Sequence, residues 1–293
     1  FIRMVIPQPA GGVGDVIGRL VGDKAAAVLG QPIVVENIPG ATTTIGTAAA
    51  ARAKPDGCTI LHLTTSGVVA SVMMENLPFN LERDFIPVVG IGSFPLALSV
   101  NANSKIMSVA DLAATAKSGD TLNYSTGGSG TMAHLAALRL LKEFNGKAVH
   151  VPYKGNAPAL QALLAGNVDF MFPSTSEVLP LMEGGKLRVL ALTSDARLAT
   201  FPNVPTMRDL GFPEISPRIW YAFLVPAGTP AEAVTRIGEA FAKAMADPQV
   251  QERLAKTGYI TEIRGSADTA AFVKSEAARW KKVVLEYNVK IDN

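Results

Sequence analysis

Short apolar runs and apolar stripes at helical spacing alternate along almost the whole chain. Residues 2–6 read as a buried strand. Val16, Ile17, Leu20, Val21, Val28 and Leu29 then recur at helical spacing until Gly30 and Pro32 stop the helix. A strand at 33–35, a loop at 37–44 and an alanine-rich helix through Arg52 repeat the plan, and Pro55-Asp56-Gly57 makes a turn. A third strand, 59–63, opens into Thr64-Thr65-Ser66-Gly67 ahead of a helix. The alternation predicts α/β layers with mostly parallel sheets.

From residue 85 to 100 two extended apolar runs, broken by Gly90, Gly92 and Pro95, lead to Asn101, where the chain is expected to cross into a second domain. Ser108 or Asp111 caps a helix there, 122–125 is a strand, and a helix carries Leu135, Leu138 and Leu141. Strands at 149–151, 168–172 and 187–193 follow, with a helix through Leu160, Leu163 and Leu164 between the first two and an extended segment at 201–206 after the last. Residues 220–225 read as the strand that returns to the first domain. The remainder reads as helical, with one stripe at Val234, Ile237, Phe241 and Met245 and another at Val273, Ala277, Trp280, Val284 and Tyr287. The expected organisation is a discontinuous lobe, 1–100 with 221–293, and an inserted lobe, 101–220, joined by two crossings that form a hinge.

The strands end in loops of small residues that run into helices. Two stand out: Pro9-Ala10-Gly11-Gly12-Val13-Gly14-Asp15, and Ser125-Thr126-Gly127-Gly128-Ser129-Gly130-Thr131 with His134 beyond it. The first-turn N–H groups of a helix have no internal partner, and the helix dipole adds roughly half a positive charge, so a carboxylate or phosphate can dock without Lys or Arg. In open α/β sheets the ligand crevice lies at the carboxyl ends of the strands. The candidate ligand-binding residues are therefore Gly12, Val13, Gly14, Asp15, Thr42, Thr43, Thr65 and Ser66 in the first lobe. In the second they are Ser125, Thr126, Gly127, Ser129, Gly130, Thr131, His134, Tyr153 and Ser174. The Asp15 carboxylate would compete with an anionic ligand for the same N–H groups, so its side chain is expected to turn away and brace the loop. His134 either orients its loop or touches ligand, and Tyr153 either packs over ligand or is an ordinary interface aromatic.

At 293 residues and 48% hydrophobic, the chain can bury the cores of two domains. Its net charge of +2 is spread without a basic track, which argues against nucleic acid as a partner. The single cysteine, Cys58, excludes an internal disulfide and a thiolate zinc cage. No apolar run approaches the roughly 20 residues that span a bilayer. A start at Phe1 without an initiator Met fits a secreted form freed of its signal peptide, and it fits a trimmed terminus equally well.

Enzyme readings have weak footholds. Gly128-Ser129-Gly130-Thr131-Met132-Ala133 satisfies G-x-G-x-x-A, but the place about 20 residues on where an acidic residue should hold a ribose reads Ala148-Val149-His150-Val151. Ser129 with His134, His150 or His62 would serve a hydrolase or transferase. Yet Gly127-Gly128-Ser129-Gly130-Thr131 misses the last glycine of G-x-S-x-G, and a serine there more often caps a helix. No set of His, Asp, Glu and Cys has metal-ligand spacing on a helix face. No cofactor is expected.

Several segments, taken in order, resemble the solute-binding receptors of tripartite tricarboxylate transporters, the Bug family. They are Pro9-Ala10-Gly11-Gly12 with Asp15 and Arg19, Asn37-x-Pro39-Gly40-Ala41, Gly128-Ser129-Gly130 with His134-Leu135, Val151-Pro152-Tyr153-Lys154-Gly155 with Pro158, Val204-Pro205-Thr206, and Pro226-Ala227-Gly228-Thr229-Pro230. The resemblance implies a type II periplasmic-binding-protein fold whose two α/β lobes close on a small organic acid: a mono- or dicarboxylate, an aromatic acid or an acidic amino acid. It implies a periplasmic, non-enzymatic monomer that delivers its solute to a membrane permease. It also implies that loop N–H groups and hydroxyls of both lobes, at 12–15 and 125–131, hold one ligand carboxylate. Where that family usually has P-G-A-G-G, this chain has Pro39-Gly40-Ala41-Thr42-Thr43, and Gly128-Ser129-Gly130-Thr131 replaces G-S-G-S. The added threonines keep the family's preference for a distal group from carrying over.

Overall fold

The computed structural model describes residues 1–287 other than Glu75 and Asp120, together with Val289. Its contacts divide the chain into two units. Unit 1 comprises Phe1–Ser93, Trp220–Ala255 and Ile260–Glu286. Unit 2 holds Phe94–Ile219, Lys256–Tyr259 and Tyr287. The first crossing falls at Ser93 and Phe94 rather than near residue 101, because the strand Ala97–Asn101 pairs within unit 2. The C-terminal part is also less uniform than the range 221–293 implies, since 256–259 belongs to unit 2 and 290–293 lie outside the described residues.

In unit 1 the elements run β1 (Ile2–Ile6), α1 (Val13–Leu29), β2 (Ile33–Asn37), α2 (Thr44–Ala51), β3 (Thr59–Thr64), α3 (Thr65–Met73), α4 (Leu81–Asp84) and β4 (Phe85–Pro95). After unit 2 the chain returns through β10 (Arg218–Pro226), α9 (Ala231–Ala246), α10 (Pro248–Ala255), β11 (Ile260–Arg264) and α11 (Ser266–Tyr287). The sheet order is β11-β4-β10-β3-β1-β2. Gly30, at φ 67°, ends α1 in the left-handed conformation that costs glycine least. Met4, Val5, Ile6, Ile60 and Leu61 bury the sheet centre. Helix α9 docks on it through Phe241, whose ring centroid lies 4.1 Å from that of Phe223 on β10. Helix α11 is fixed by a buried carboxylate, Glu276, which accepts from the indole N–H groups of Trp220 (2.8 Å) and Trp280 (3.0 Å).

Unit 2 contains β5 (Ala97–Asn101), α5 (Val109–Ser118), β6 (Asn123–Thr126), α6 (Met132–Phe144), β7 (Val149–Pro152), α7 (Asn156–Leu164), β8 (Phe170–Met171), α8 (Thr175–Glu183) and β9 (Leu187–Leu192), in the sheet order β7-β6-β8-β5-β9. Ser108 caps α5, accepting from the Asp111 N–H at 3.1 Å. One face of this sheet packs Leu163, Met171, Val178, Leu192 and Phe201.

The sheets are mixed rather than mostly parallel. β1 pairs parallel with β2 and β3, and β6 with β7 and β8. Strands that arrive from the other unit, namely β5, β10 and β11, pair antiparallel, because no right-handed crossover within the unit fixes their direction. The sequence reading also passed over α4 and α8, and it took the segment of β11 as helical.

Candidate functional site

Each unit gathers its candidate residues at the carboxyl ends of its parallel strands. In unit 1, α1 starts at Gly12, whose backbone is extended and which offers no side-chain cap. The N–H groups of Val13, Gly14 and Asp15 therefore have no acceptor among the described residues. The Asp15 carboxylate, 3% exposed, is turned back as expected. It accepts from Gly11 N (2.9 Å), from Arg19 Nε (3.0 Å) and from Asn37 Nδ2 (2.9 Å). Burial pushes this carboxyl up, but the bonds from Arg19, Gly11 and Asn37 and the Arg19 charge together outweigh that and hold it below its ordinary range. Parallel pairing sets Asn37 opposite Ile6, so the same amide reaches Gln8 O at 3.0 Å and ties β2 to the α1 loop.

The α2 loop is strained. Ala41, Thr42 and Thr43 take φ values of 43°, 51° and 77°, a left-handed turn built without glycine. Such a conformation costs roughly 1–2 kcal/mol per residue, so it persists only where its surroundings hold it. Thr43 caps α2 without a side-chain bond to it, and its hydroxyl is buried with no partner among the described residues. The hydroxyl of Thr65 accepts from Trp220 N at 2.9 Å and so serves the fold rather than standing open, while Ser66 is half-buried. Gln8 Oε1 and Thr64 Oγ1 are also buried without partners among the described residues. An ideal Cβ on Gly14 would lie 1.8 Å from Gln8 Oε1, the end of a side chain that would have to swing aside, and 3.4 Å from the Tyr221 ring.

In unit 2 the loop before α6 is held from inside. The Ser125 hydroxyl donates to Ala159 O (3.0 Å). Thr126 Oγ1 lies 2.7 Å from His150 Nε2 and accepts from Gly128 N (3.2 Å). The Gly130 N–H, expected to face ligand, instead donates to His134 Nδ1 (3.1 Å), so His134 orients the loop. His134 and His150 stack at 4.0 Å, and Tyr124, whose phenol burial pushes well up, stacks on both. Thr131 caps α6 by accepting from His134 N (3.4 Å). The N–H groups of Met132 and Ala133 remain without acceptors among the described residues.

Gly127 lets the neighbouring loop close in, since a Cβ there would meet Asn156 Oδ1 at 2.4 Å, and its carbonyl accepts from Gly155 N (3.1 Å). Asn156 donates to Glu177 (3.1 Å), which also accepts from the N–H (2.9 Å) and hydroxyl (2.7 Å) of Ser174. Ser174 and Glu177 thus form the capping box at the start of α8. Ser129 is half-buried, and Tyr153 packs partly buried against the core cluster of the unit. Among the described residues no group of three or more His, Cys, Asp and Glu could hold a metal ion, and no helix is long and apolar enough to cross a membrane.

Gln8, Asn37, Thr64, His150, Asn156 and Glu177 were not among the candidate ligand-binding residues. Only Glu177 had a local signal, the Ser174-x-x-Glu177 spacing of a capping box. The others act through contacts far apart in the chain.

Two α/β units each present helix-initial N–H groups beside a loop braced by its own side chains, an arrangement suited to holding the anionic group of a small solute. Residues 17–289 match the family described as "Tripartite tricarboxylate transporter family receptor", and the chain belongs to it. It is 35% identical over 290 residues to a Pseudomonas sp. (strain P51) protein, "UPF0065 protein in tcbD-tcbE intergenic region", covering 98% of this chain and 86% of that one. It is 34% identical to Protein BugT of Bordetella pertussis, covering 99% and 90%. Among solved structures it is similar to the periplasmic binding protein BugD (29% identity, TM-score 0.87, covering 99% and 98%). It is also similar to MatC of Rhodopseudomonas palustris with bound malate (29%, 0.85, covering 97% and 98%). An R. palustris protein with adipate is a further match (28%, 0.89, covering 99% and 97%). The chain thus has the fold of two-domain periplasmic binding proteins.

Proposed function

We propose that this chain is a periplasmic receptor that captures a small organic carboxylate between its two lobes and delivers it to the membrane permease of its transporter. The observation that carries the reading is the uncapped start of α1. Val13, Gly14 and Asp15 present N–H donors, and the one nearby carboxylate is already consumed by Gly11, Arg19 and Asn37. A ligand carboxylate supplies the missing acceptor and meets the positive end of the helix. The N–H groups of Met132 and Ala133 in unit 2 support a second set of contacts, and contacts with both lobes would favour a closed state. The malate and adipate carried by the two R. palustris proteins support a dicarboxylate as the first class to try.

The test is calorimetric titration and thermal melting of purified protein stripped of ligand, against malate, succinate, adipate, benzoate, butyrate and aspartate. Stoichiometric binding without turnover is expected. A ligand at about 100 times its Kd adds about 2.7 kcal/mol to stability, which moves the melting point by several degrees. Failure of every acid to bind at millimolar concentration overturns the reading.

A further inference from the structure

We infer that the first turn of α3, with Thr43 and Thr64, forms a second polar subsite inside unit 1, which takes an oxygen-bearing group of the solute remote from its anchored carboxylate. This rests on the carboxylate-receptor reading and names the class of acid. Thr64 occupies the N-cap position of α3 with the extended backbone of a capping residue, yet its hydroxyl makes no capping bond. It is 3% exposed, and Oγ1 has no partner among the described residues. A threonine that declines its own cap leaves both a buried hydroxyl and the Ser66 and Gly67 N–H groups without acceptors among the described residues, a pairing that a bound acceptor would resolve.

Thr43 brings a second hydroxyl to the first turn of α3. Its Oγ1, also buried and unpartnered, lies 3.3 Å from where a Cβ on Gly67 would stand, so it rests against the first turn of α3. The strained run at 41–43 delivers it there. Thr65 is not part of the subsite, because its hydroxyl accepts from Trp220 N and pins the helix start.

The chemistry of the set is specific. Two hydroxyls and backbone N–H groups at the positive end of a helix suit a hydroxyl, carbonyl or carboxylate oxygen, and they disfavour an ammonium group. The solute is therefore a dicarboxylic or hydroxycarboxylic acid in preference to a simple monocarboxylate or an amino acid.

The experiment is calorimetric titration of wild type, Thr43→Val and Thr64→Val with malate, succinate, butyrate and aspartate, with the melting point of each ligand-free protein. Wild type is expected to bind malate or succinate at least tenfold tighter than butyrate and aspartate. Each valine variant is expected to lose tenfold or more toward the favoured acid while its ligand-free melting point holds or rises, since an unsatisfied buried hydroxyl has been replaced by a methyl group. Malate and succinate binding within twofold of wild type in both variants overturns the subsite, as does a wild type that binds butyrate as tightly. A wild type that binds none of the acids overturns instead the reading on which the subsite rests.

Discussion

His62 shows what a single buried residue contributes to the pH range of this protein. Its ring is fully buried, stacked between Tyr221 at 5.3 Å and Phe223 at 5.0 Å, and neither nitrogen has a partner among the described residues. Burial lowers its pKa to about 3, and the nearby charge of Asp15 recovers only part of that. The unfolded chain binds a proton below about 6.5 that the folded chain refuses until about pH 3. Stability from this residue is therefore complete above pH 6.5 and falls as pH drops toward 3, by about 1.4 kcal/mol per pH unit. Urea unfolding of His62→Phe from pH 7 to 4 is expected to show a shallower acid decline than wild type; parallel curves would remove His62 from the account. The bracing of Asp15 could be foreseen at this scale, because a carboxylate beside orphan N–H groups competes with any ligand. The use of Gly130's N–H could not. It depends on where a ring nitrogen four residues later comes to rest.

Helices and strands were legible where the pattern was long and its ends were marked, as in α1 with Gly30, or α6 with Thr131 before it and Asn145, at φ 49°, after it. Helix α8 was missed because Pro180 sits inside nine residues, which breaks the propensity signal while the capping box still starts the helix. Strand β11 was missed because each of its residues is only partly buried or exposed, so it lacks a clean apolar alternation. Helix α2 shows how little of a short element's stability is its own. Eight residues are marginal alone, and α2 survives by lying on the backbone before it. A Cβ on Gly46 would stand 2.5 Å from Ile38 O and 2.9 Å from Pro7 Cβ. Gly46→Ala is therefore expected to cost about 1–3 kcal/mol, despite alanine's better helix propensity, and to weaken solute binding through the displaced Thr43. Urea midpoints compare the two proteins; a midpoint that holds or rises contradicts the packing argument.

For the molecule as a whole, the two-unit plan was legible because strands with small-residue loops recur on both sides of apolar crossing runs. The crossing positions were less so, since the two apolar runs of 85–100 do not say which unit each joins and only strand pairing assigns β5 to unit 2. The sheet of unit 1 draws on both ends of the chain, and β10 lies between β4 and β3 in its order. A chain ending at residue 219 leaves β4 with no neighbour and the β3-β1-β2 group with an open apolar edge. Such a fragment is expected to lose protection of the β3 amides in hydrogen exchange while β6 and β8 keep theirs. Protected β3 amides would show that the N-terminal strands stand alone.

The place of β10 also sets a schedule. The ribosome completes the first four strands of unit 1, then all of Phe94–Ile219, before it makes the strand that joins them. At roughly 5–20 residues per second that interval is on the order of ten seconds. Unit 2 draws all five strands of its sheet from one continuous stretch of that interval, so the later-made half can complete its sheet first. The earlier-made half waits with apolar strands uncovered, and its needs during synthesis are those of a client for holding factors rather than of a domain that folds as it emerges.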